Sequence, residues 1–248
     1  MNSKKRKQGF LFKIIKGIIG LFYKKYELLG QENIPSEPCI FIGNHAKAHG
    51  PIITELYLSS HATTWCIGEM LSTKEAPAYM FKDFWSNKPK RTHWFYKIVA
   101  RVLSPLIVYV FKNIYPIAVY HDIRVMKTFK ATVEQMAEGR NMVIFPEYHL
   151  EYNDIVNDFQ QNFVDVARLY YKKTGKALSF VPTYYAPYLK KVVFGEPVEF
   201  NPNIPIEEQR VAICDYLKNE ITALAKELPA HKVVPYENLP KRKYKLSK

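Results

Sequence analysis

The chain has 248 residues, of which 36 are basic and 23 acidic, for a net charge of +13, and 48% are hydrophobic. This composition excludes wholesale disorder, and the length suits one α/β domain or a domain with a helical extension, so we expect a single domain. Most of the basic excess lies in residues 4–16 and 241–248. A nearly neutral middle argues against a nucleic-acid groove, whereas two basic ends fit an anionic membrane surface. A solvated, disordered tail is the other interpretation of either end.

An apolar segment follows the basic N-terminus, in residues 10–26. Its polar positions are spaced three and four apart, which places them on one helical stripe: Lys13, Lys16, Gly20 and Lys24. A span needs about 20 predominantly apolar residues, and the lysines come too often for that. We expect an amphipathic helix in the plane of the membrane interface. The alternative is a helix docked on the protein's own core.

A second apolar stretch occupies residues 93–111. Because Lys97, Arg101 and Pro105 interrupt it, we expect that it does not span a membrane. A buried helix followed by a buried strand is one interpretation. The aromatic residues beside the basic ones suit a membrane interface equally well.

Three segments follow from these patterns: a basic amphipathic membrane segment (residues 1–28), one α/β domain (29–230) and a basic C-terminal tail (231–248). The three cysteines show no metal-type spacing and cannot all pair, which indicates a reducing compartment. We therefore expect a peripheral protein on the cytoplasmic face of the cell membrane.

Short strand-like runs alternate with helical patterns through the middle of the chain. The predicted strands are residues 39–42, 63–67, 114–120, 142–145, 178–185 and 191–194. The predicted helices are residues 123–139, 159–174 and 205–228. This alternation predicts an α/β fold with a mainly parallel sheet covered by helices.

The feature most suggestive of chemistry is Gly43-Asn44-His45, directly after the first predicted strand. Ligand crevices of α/β sheets lie at the carboxyl ends of strands. Further short motifs follow in order: Phe145-Pro146-Glu147 after another strand, and Val181-Pro182-Thr183 within a third.

This ordered set resembles the lysophosphatidic acid and glycerol-phosphate acyltransferase family over residues 26–228. The resemblance implies that His45 is a general base, which takes a proton from an acceptor hydroxyl as that hydroxyl attacks an acyl donor. The implied donor is acyl-CoA, acyl carrier protein or an acyl phosphate, with no cofactor. The implied acceptor is a lysophospholipid-like lipid. The residues that match or neighbour the family's substrate-binding blocks are Asn44, His121, Arg124, Pro146, Glu147, Tyr148 and His149.

The chain departs from the family pattern at charged positions. Gly50 stands where the family has the Asp that orients the base, and Tyr148-His149-Leu150 replaces Gly-Thr-Arg. Loss of that Arg favours an acceptor headgroup other than a simple phosphate monoester. We expect His49, Asp122 or Glu147 to support His45 in place of the missing Asp. For Glu147, His149 and Arg124 the alternative is a structural hydrogen bond or a surface ion pair.

Three functional interpretations therefore remain at this point. The first is an active acyltransferase with an altered motif. The second is a catalytically inactive relative that binds lipid or a partner at the membrane. The third is a metal-dependent hydrolase that uses His45, His49 and either Glu147 or His149, although the Glu of the zinc-protease motif is missing.

Overall fold

The computed structural model describes residues 7–120 and 122–248, with the side chains of residues 149–151 outside that description. The helices are α1 Phe10–Phe22, α2 His49–Tyr57, α3 Ala76–Met80, α4 His93–Ile114, α5 Val125–Ala137, α6 Asp165–Thr174 and α7 Ile206–Glu227. The strands are β1 Glu27–Leu29, β2 Cys39–Gly43, β3 Ala62–Ile67, β4 Ile117–Val119, β5 Asn141–Ile144, β6 Glu147–Tyr152, β7 Asn157–Phe159, β8 Ser179–Ala186, β9 Lys191–Phe194 and β10 Val198–Glu199.

The chain forms two compact units. The first contains the described residues up to 22 together with residues 65–128, and the second contains residues 23–64 and 129–248. The C-terminal residues therefore belong to the second unit.

The second unit is built on a mainly parallel sheet. β2 lies between β5 and β8 and is parallel to both, with Ile40 opposite Met142 and Phe180. β3 is parallel to β5, and β1 is parallel to β9. Only β9 and β10 run antiparallel to their neighbour β8 among the described pairs of this sheet. The predicted fold class is confirmed.

Burial explains why the central strands were readable from sequence. Every residue of β2 is buried, as are all residues of β8 except Ser179. A strand covered on both faces reads as a continuous apolar run. The predicted helix 159–174 begins later than expected, at Asp165, because residues 157–159 form β7 and pair with β6.

The first unit contains α4 as one continuous helix, so the prediction of a helix followed by a strand is wrong. Ala100, Ser104 and Val108 recur every fourth residue and form its buried stripe. Pro105 has no N–H to donate to the carbonyl of Arg101. That carbonyl instead accepts a hydrogen bond of 3.2 Å from the Ser104 hydroxyl, so the helix tolerates the proline.

Six large apolar side chains of α4 are exposed: Trp94, Phe95, Ile98, Val102, Leu103 and Leu106. Among the described residues, one helical segment, Lys90–Ile114, is long and apolar enough to cross a membrane by length and composition. Length and composition alone therefore do not exclude a span, and the expectation that this segment does not cross a membrane stays a prediction. The predicted strand 114–120 shrinks to β4 because α4 continues to Ile114.

α1 begins and ends close to the predicted segment and lies in the first unit beside α4. The Gly9 N–H donates to Asn113 Oδ1 at 2.7 Å, and the Tyr115 hydroxyl donates to the Lys7 carbonyl at 2.8 Å. Phe12 is the one buried residue of α1. Its other apolar side chains are largely exposed, including Phe10, Leu11, Ile14, Ile18, Leu21 and Phe22.

Candidate functional site

Asn44 fixes the end of β2 against β8. It is buried, and its side-chain oxygen accepts the Tyr185 N–H at 2.7 Å while its amide nitrogen donates to the Tyr185 carbonyl at 3.2 Å. Gly43 lets the Tyr185 ring pass, since a Cβ there would lie 2.6 Å from that ring. The next residue, His45, is therefore held at the carboxyl edge of the parallel sheet, as the sequence predicted.

The imidazole of His45 is held by the chain's own backbone. Its Nδ1 donates a hydrogen bond to the carbonyl of Lys47. A carbonyl can only accept, so Nδ1 carries the proton and Nε2 carries the lone pair. In the part of the chain that the structure describes, Nε2 has no hydrogen-bond partner.

This geometry corrects the expected support for His45. The acceptor of its ring proton is a backbone carbonyl, and not the side chain of His49, Asp122 or Glu147. The carbonyl reaches the ring because Ala46 and Lys47 both adopt left-handed conformations, with φ of 46° and 56°. Two non-glycine residues at positive φ turn the chain back on itself, at a cost of about 1–2 kcal/mol each.

Aromatic side chains enclose the His45 ring. The ring centroids of Phe145 and Tyr236 lie 5.3 Å and 5.5 Å from its centroid. Burial lowers the pKa of His45 from its ordinary value, although the bond to the Lys47 carbonyl acts in the opposite direction. The ring is therefore neutral near physiological pH, as a general base must be.

Glu147 is a buried backbone clamp. Its Oε2 accepts the His45 N–H at 2.5 Å, and its Oε1 accepts the Asn157 N–H at 3.0 Å. Burial raises the pKa of Glu147 to about 7, while these two hydrogen bonds oppose the rise. The carboxylate thus holds the His45 backbone in place, which matches the structural alternative given for it above.

Gly50, at the position of the family's Asp, is required by close packing. Its N–H donates to the His45 carbonyl at 3.1 Å. A Cβ at this position would lie 2.8 Å from that carbonyl oxygen and 2.8 Å from the Phe145 ring. The backbone observed here therefore has no room for an aspartate.

His49 opens α2, and its ring is engaged elsewhere. The Tyr23 hydroxyl lies 2.7 Å from its Nδ1. Burial, followed by the positive charges of Lys241 and Lys47, lowers the pKa of His49. His49 is thus a neutral, hydrogen-bonded histidine beside the His45 loop.

The remaining predicted residues occupy varied positions. Pro146 is buried, and its carbonyl accepts the Gln160 N–H at 2.9 Å. The Tyr148 carbonyl accepts a bond of 3.2 Å from the Asn157 side chain. His149 lies in β6, with its side chain outside the described part, and His121 lies outside the described residues altogether.

Asp122 and Arg124 lie in the first unit and pair with each other. Two guanidinium nitrogens of Arg124 contact the Asp122 carboxylate at 2.7–3.0 Å, and both side chains are exposed. This is the surface ion pair given above as the alternative for Arg124. Within the described residues, no three His, Cys, Asp or Glu side chains are grouped so as to hold a metal ion.

Three residues at the site were not predicted from the sequence: Lys47, Asn157 and Tyr236. Lys47 acts through its backbone carbonyl, and its left-handed conformation is not one that its residue type predicts. Asn157 binds Glu147 through its backbone N–H, which every residue except proline has. Tyr236 lies far along the chain, in a segment expected to be a tail. An uninterrupted apolar run at residues 233–236, just before the basic residues, was the one available hint.

Comparisons with known proteins show a likeness to a solved structure but none to a family model or a curated protein. No family model matches the chain, and no curated protein matches it. A solved structure, the 1-acyl-sn-glycerophosphate (LPA) acyltransferase PlsC from Thermotoga maritima, aligns with a TM-score of 0.46 and 16% identity. The alignment covers 90% of this chain and 84% of that one. These values are too low to carry an activity from that protein to this chain.

Proposed function

We propose that the chain is an O-acyltransferase that moves a fatty acyl group to the hydroxyl of a lysophospholipid-like acceptor, with His45 as general base. The observation that carries the proposal is the ring of His45, whose Nδ1 proton is bound by the Lys47 carbonyl. The lone pair on Nε2 is then available at the edge of the sheet where α/β proteins bind ligands.

In the proposed reaction, Nε2 takes the proton from the acceptor hydroxyl as its oxygen bonds to the carbonyl carbon of the donor. The C–S bond of acyl-CoA or acyl carrier protein then breaks, and the leaving thiolate takes the proton from the imidazolium. With an acyl phosphate, the C–O bond breaks instead, and the leaving phosphate takes the proton from the imidazolium. A positioned base contributes about 10²- to 10⁴-fold.

Support from a carbonyl differs from support by a carboxylate. The carbonyl selects the correct tautomer, but it lacks the full negative charge that stabilises an imidazolium. We therefore expect slower acyl transfer than a carboxylate-supported histidine would give. Asn44, Pro146, Glu147 and Tyr148 then act by shaping the site around His45.

The proposal places the protein as a peripheral protein on the cytoplasmic face of the cell membrane. The exposed apolar side chains of α1 and α4 support this location, since large exposed apolar patches mark interaction sites. Basic residues at both ends of the chain suit anionic lipid.

The test compares wild-type protein with His45→Gln, with radiolabelled palmitoyl-CoA as donor and a mixture of lysophospholipids as acceptor. Lipidomics of membranes with and without each protein extends the test to acceptors outside that mixture. The proposal expects that His45→Gln loses transfer while its stability to urea is unchanged. Undiminished transfer by the variant contradicts it.

A second candidate is a catalytically inactive protein that binds lipid or a partner at the membrane. The absence of room for an aspartate at Gly50 favours it, because only a neutral carbonyl then supports the His45 ring. This candidate expects no acyl transfer by wild-type protein with any donor, together with binding to vesicles.

A further inference from the structure

The C-terminal loop, residues 231–247, closes back on the second unit. The Val233 N–H donates to the Lys245 carbonyl at 2.9 Å, and the Ser247 N–H donates to the His231 carbonyl at 3.0 Å. Ser247 is 2% exposed although it is the second-last residue. The basic end of the chain is therefore fixed in place and is not a solvated tail.

A buried histidine anchors this loop to the central sheet. His231 is buried, and its Nδ1 donates to the Pro229 carbonyl at 2.8 Å. Its Nε2 then accepts a hydrogen bond of 2.8 Å from the hydroxyl of Tyr184, which lies in β8. β8 thus binds the loop at His231 through Tyr184, and it binds Asn44 through the next residue, Tyr185.

The middle of the loop reaches the residue that orients His45. The ammonium group of Lys47 donates to the Leu239 carbonyl at 2.8 Å and lies 5.1 Å from the centre of the Tyr244 ring. The Tyr236 ring stands edge-on to His45. The loop therefore contacts both partners of the bond between the His45 ring and the Lys47 carbonyl.

We propose that Lys47, together with Leu239 and Tyr244 of the C-terminal loop, forms a set of positioning residues that fixes the tautomer of His45. The left-handed backbone at Ala46 and Lys47 is costly and persists only where contacts over-determine it. The hydrogen bond and the cation–π contact of the Lys47 side chain are such contacts. This inference rests on the proposed role of His45 as base.

Loss of these contacts has a specific chemical consequence. When the Lys47 side chain is released, its backbone relaxes and the carbonyl leaves Nδ1. The imidazole then also populates the tautomer in which Nε2 carries the proton, and that tautomer cannot accept a proton from a hydroxyl. The loop is thus required for the chemistry, although its two contacts with the Lys47 side chain, from Leu239 and Tyr244, involve no reacting atom.

The test compares Lys47→Met with Lys226→Met in the full chain. Methionine keeps the length of the side chain and removes the ammonium group. Lys226 is exposed on α7 and makes no such contact, so it is the matched control. Proton–nitrogen correlation spectra of protein with isotope-labelled histidine report the tautomer of each ring, and the spectrum of His45→Gln identifies the His45 signals.

Wild-type protein and Lys226→Met should show His45 in the Nδ1–H tautomer alone, whereas Lys47→Met should show a mixture. Tyr244→Leu, which removes the ring beneath the ammonium group, should shift His45 in the same direction. In the transfer assay, kcat of Lys47→Met should fall about 10-fold or more with little change in KM. A single unchanged tautomer in both variants overturns the inference.

The two proposals fail separately. If His45→Gln abolishes transfer and Lys47→Met leaves the His45 spectrum unchanged, only the positioning role is lost. If Lys47→Met disturbs the tautomer and His45→Gln still transfers acyl groups, the positioning of the ring stands and the proposed function fails.

Discussion

The carboxylate of Glu147 accepts a 2.5 Å hydrogen bond from the backbone N–H of His45 and not from its ring. The ring is bound instead by the carbonyl of Lys47. Two tasks, the fixing of the His45 backbone and the orienting of its ring, are thus divided between two residues in this chain. Glu147 fixes where the backbone of His45 lies, and Lys47 fixes which ring nitrogen carries the proton.

The buried carboxyl of Glu147 gives the stability a defined pH dependence. Burial raises its pKa from 4.5 to about 7. Its contribution to stability is fully present below about pH 4.5, and is lost as pH rises through about 7, by up to about 3 kcal/mol. Glu147→Gln cannot ionise, so urea unfolding at about pH 5 and about pH 8 should show wild type losing stability relative to the variant.

The same variant has a cost that does not depend on pH. The amide of glutamine offers one acceptor to two backbone N–H groups, so one of them loses its bond, at about 1–3 kcal/mol. Glu147→Gln should therefore be the less stable protein at about pH 5. An equal difference between the two proteins at both pH values contradicts the raised pKa.

Gly50 and Gly17 form a matched pair of helical glycines. A Cβ at Gly50 meets backbone oxygens and the Phe145 ring, whereas a Cβ at Gly17 meets nothing within 4 Å. Gly50→Ala should cost about 1–3 kcal/mol through overpacking. Gly17→Ala should gain about 0.5–1 kcal/mol, since alanine favours the helix. Urea unfolding measures both changes, and a stable Gly50→Ala contradicts the packing argument.

Gly50→Asp tests whether the departure from the family pattern can be reversed. The aspartate enters the same crowded position and pushes on the His45 carbonyl. We expect acyl transfer below the wild-type rate, measured as kcat/KM. A faster variant shows instead that the backbone adapts and that a carboxylate can support His45.

The pH profile of transfer should follow His45. A general base acts in its neutral form, and burial lowers the pKa of His45. The rate kcat/KM should therefore be constant above the ordinary histidine value and decline only below about pH 6.5. A pH profile of kcat/KM with its midpoint above about pH 6.5, measured under saturating donor, contradicts a lowered pKa of His45.

The exposed apolar surface of α1 should bind anionic vesicles. Ile18 is 53% exposed on α1, and Val211 is 47% exposed on α7. Ile18→Glu removes apolar contact and adds a repelling charge, so co-sedimentation with phosphatidylglycerol vesicles should fall several-fold. Val211→Glu makes a similar change of surface and is the control. Equal loss by both variants shows that only net charge matters.

Six of the ten described strands and two of the helices could be predicted from the chain itself, whereas β1, β6, β7 and β10 were not predicted. β2 and β8 are buried on both faces, so most of their residues are apolar or aromatic, and α5 and α7 carry a clear helical period. The secondary structure of residues 93–111 could not be predicted in the same way. Pro105 suggested a break, but α4 continues through it, and the Ser104 hydroxyl donates to the Arg101 carbonyl.

The sequence by itself determined the mainly parallel sheet and the position of His45 just beyond a strand, because apolar periodicity and strand order are local properties. The tertiary structure alone decided what supports that histidine. The carbonyl of Lys47 is presented by two left-handed residues. The ammonium group of Lys47 donates to the carbonyl of Leu239, which lies 192 residues further along the chain. Every residue has a backbone carbonyl, so no sequence motif can identify the Lys47 carbonyl as the group that orients His45.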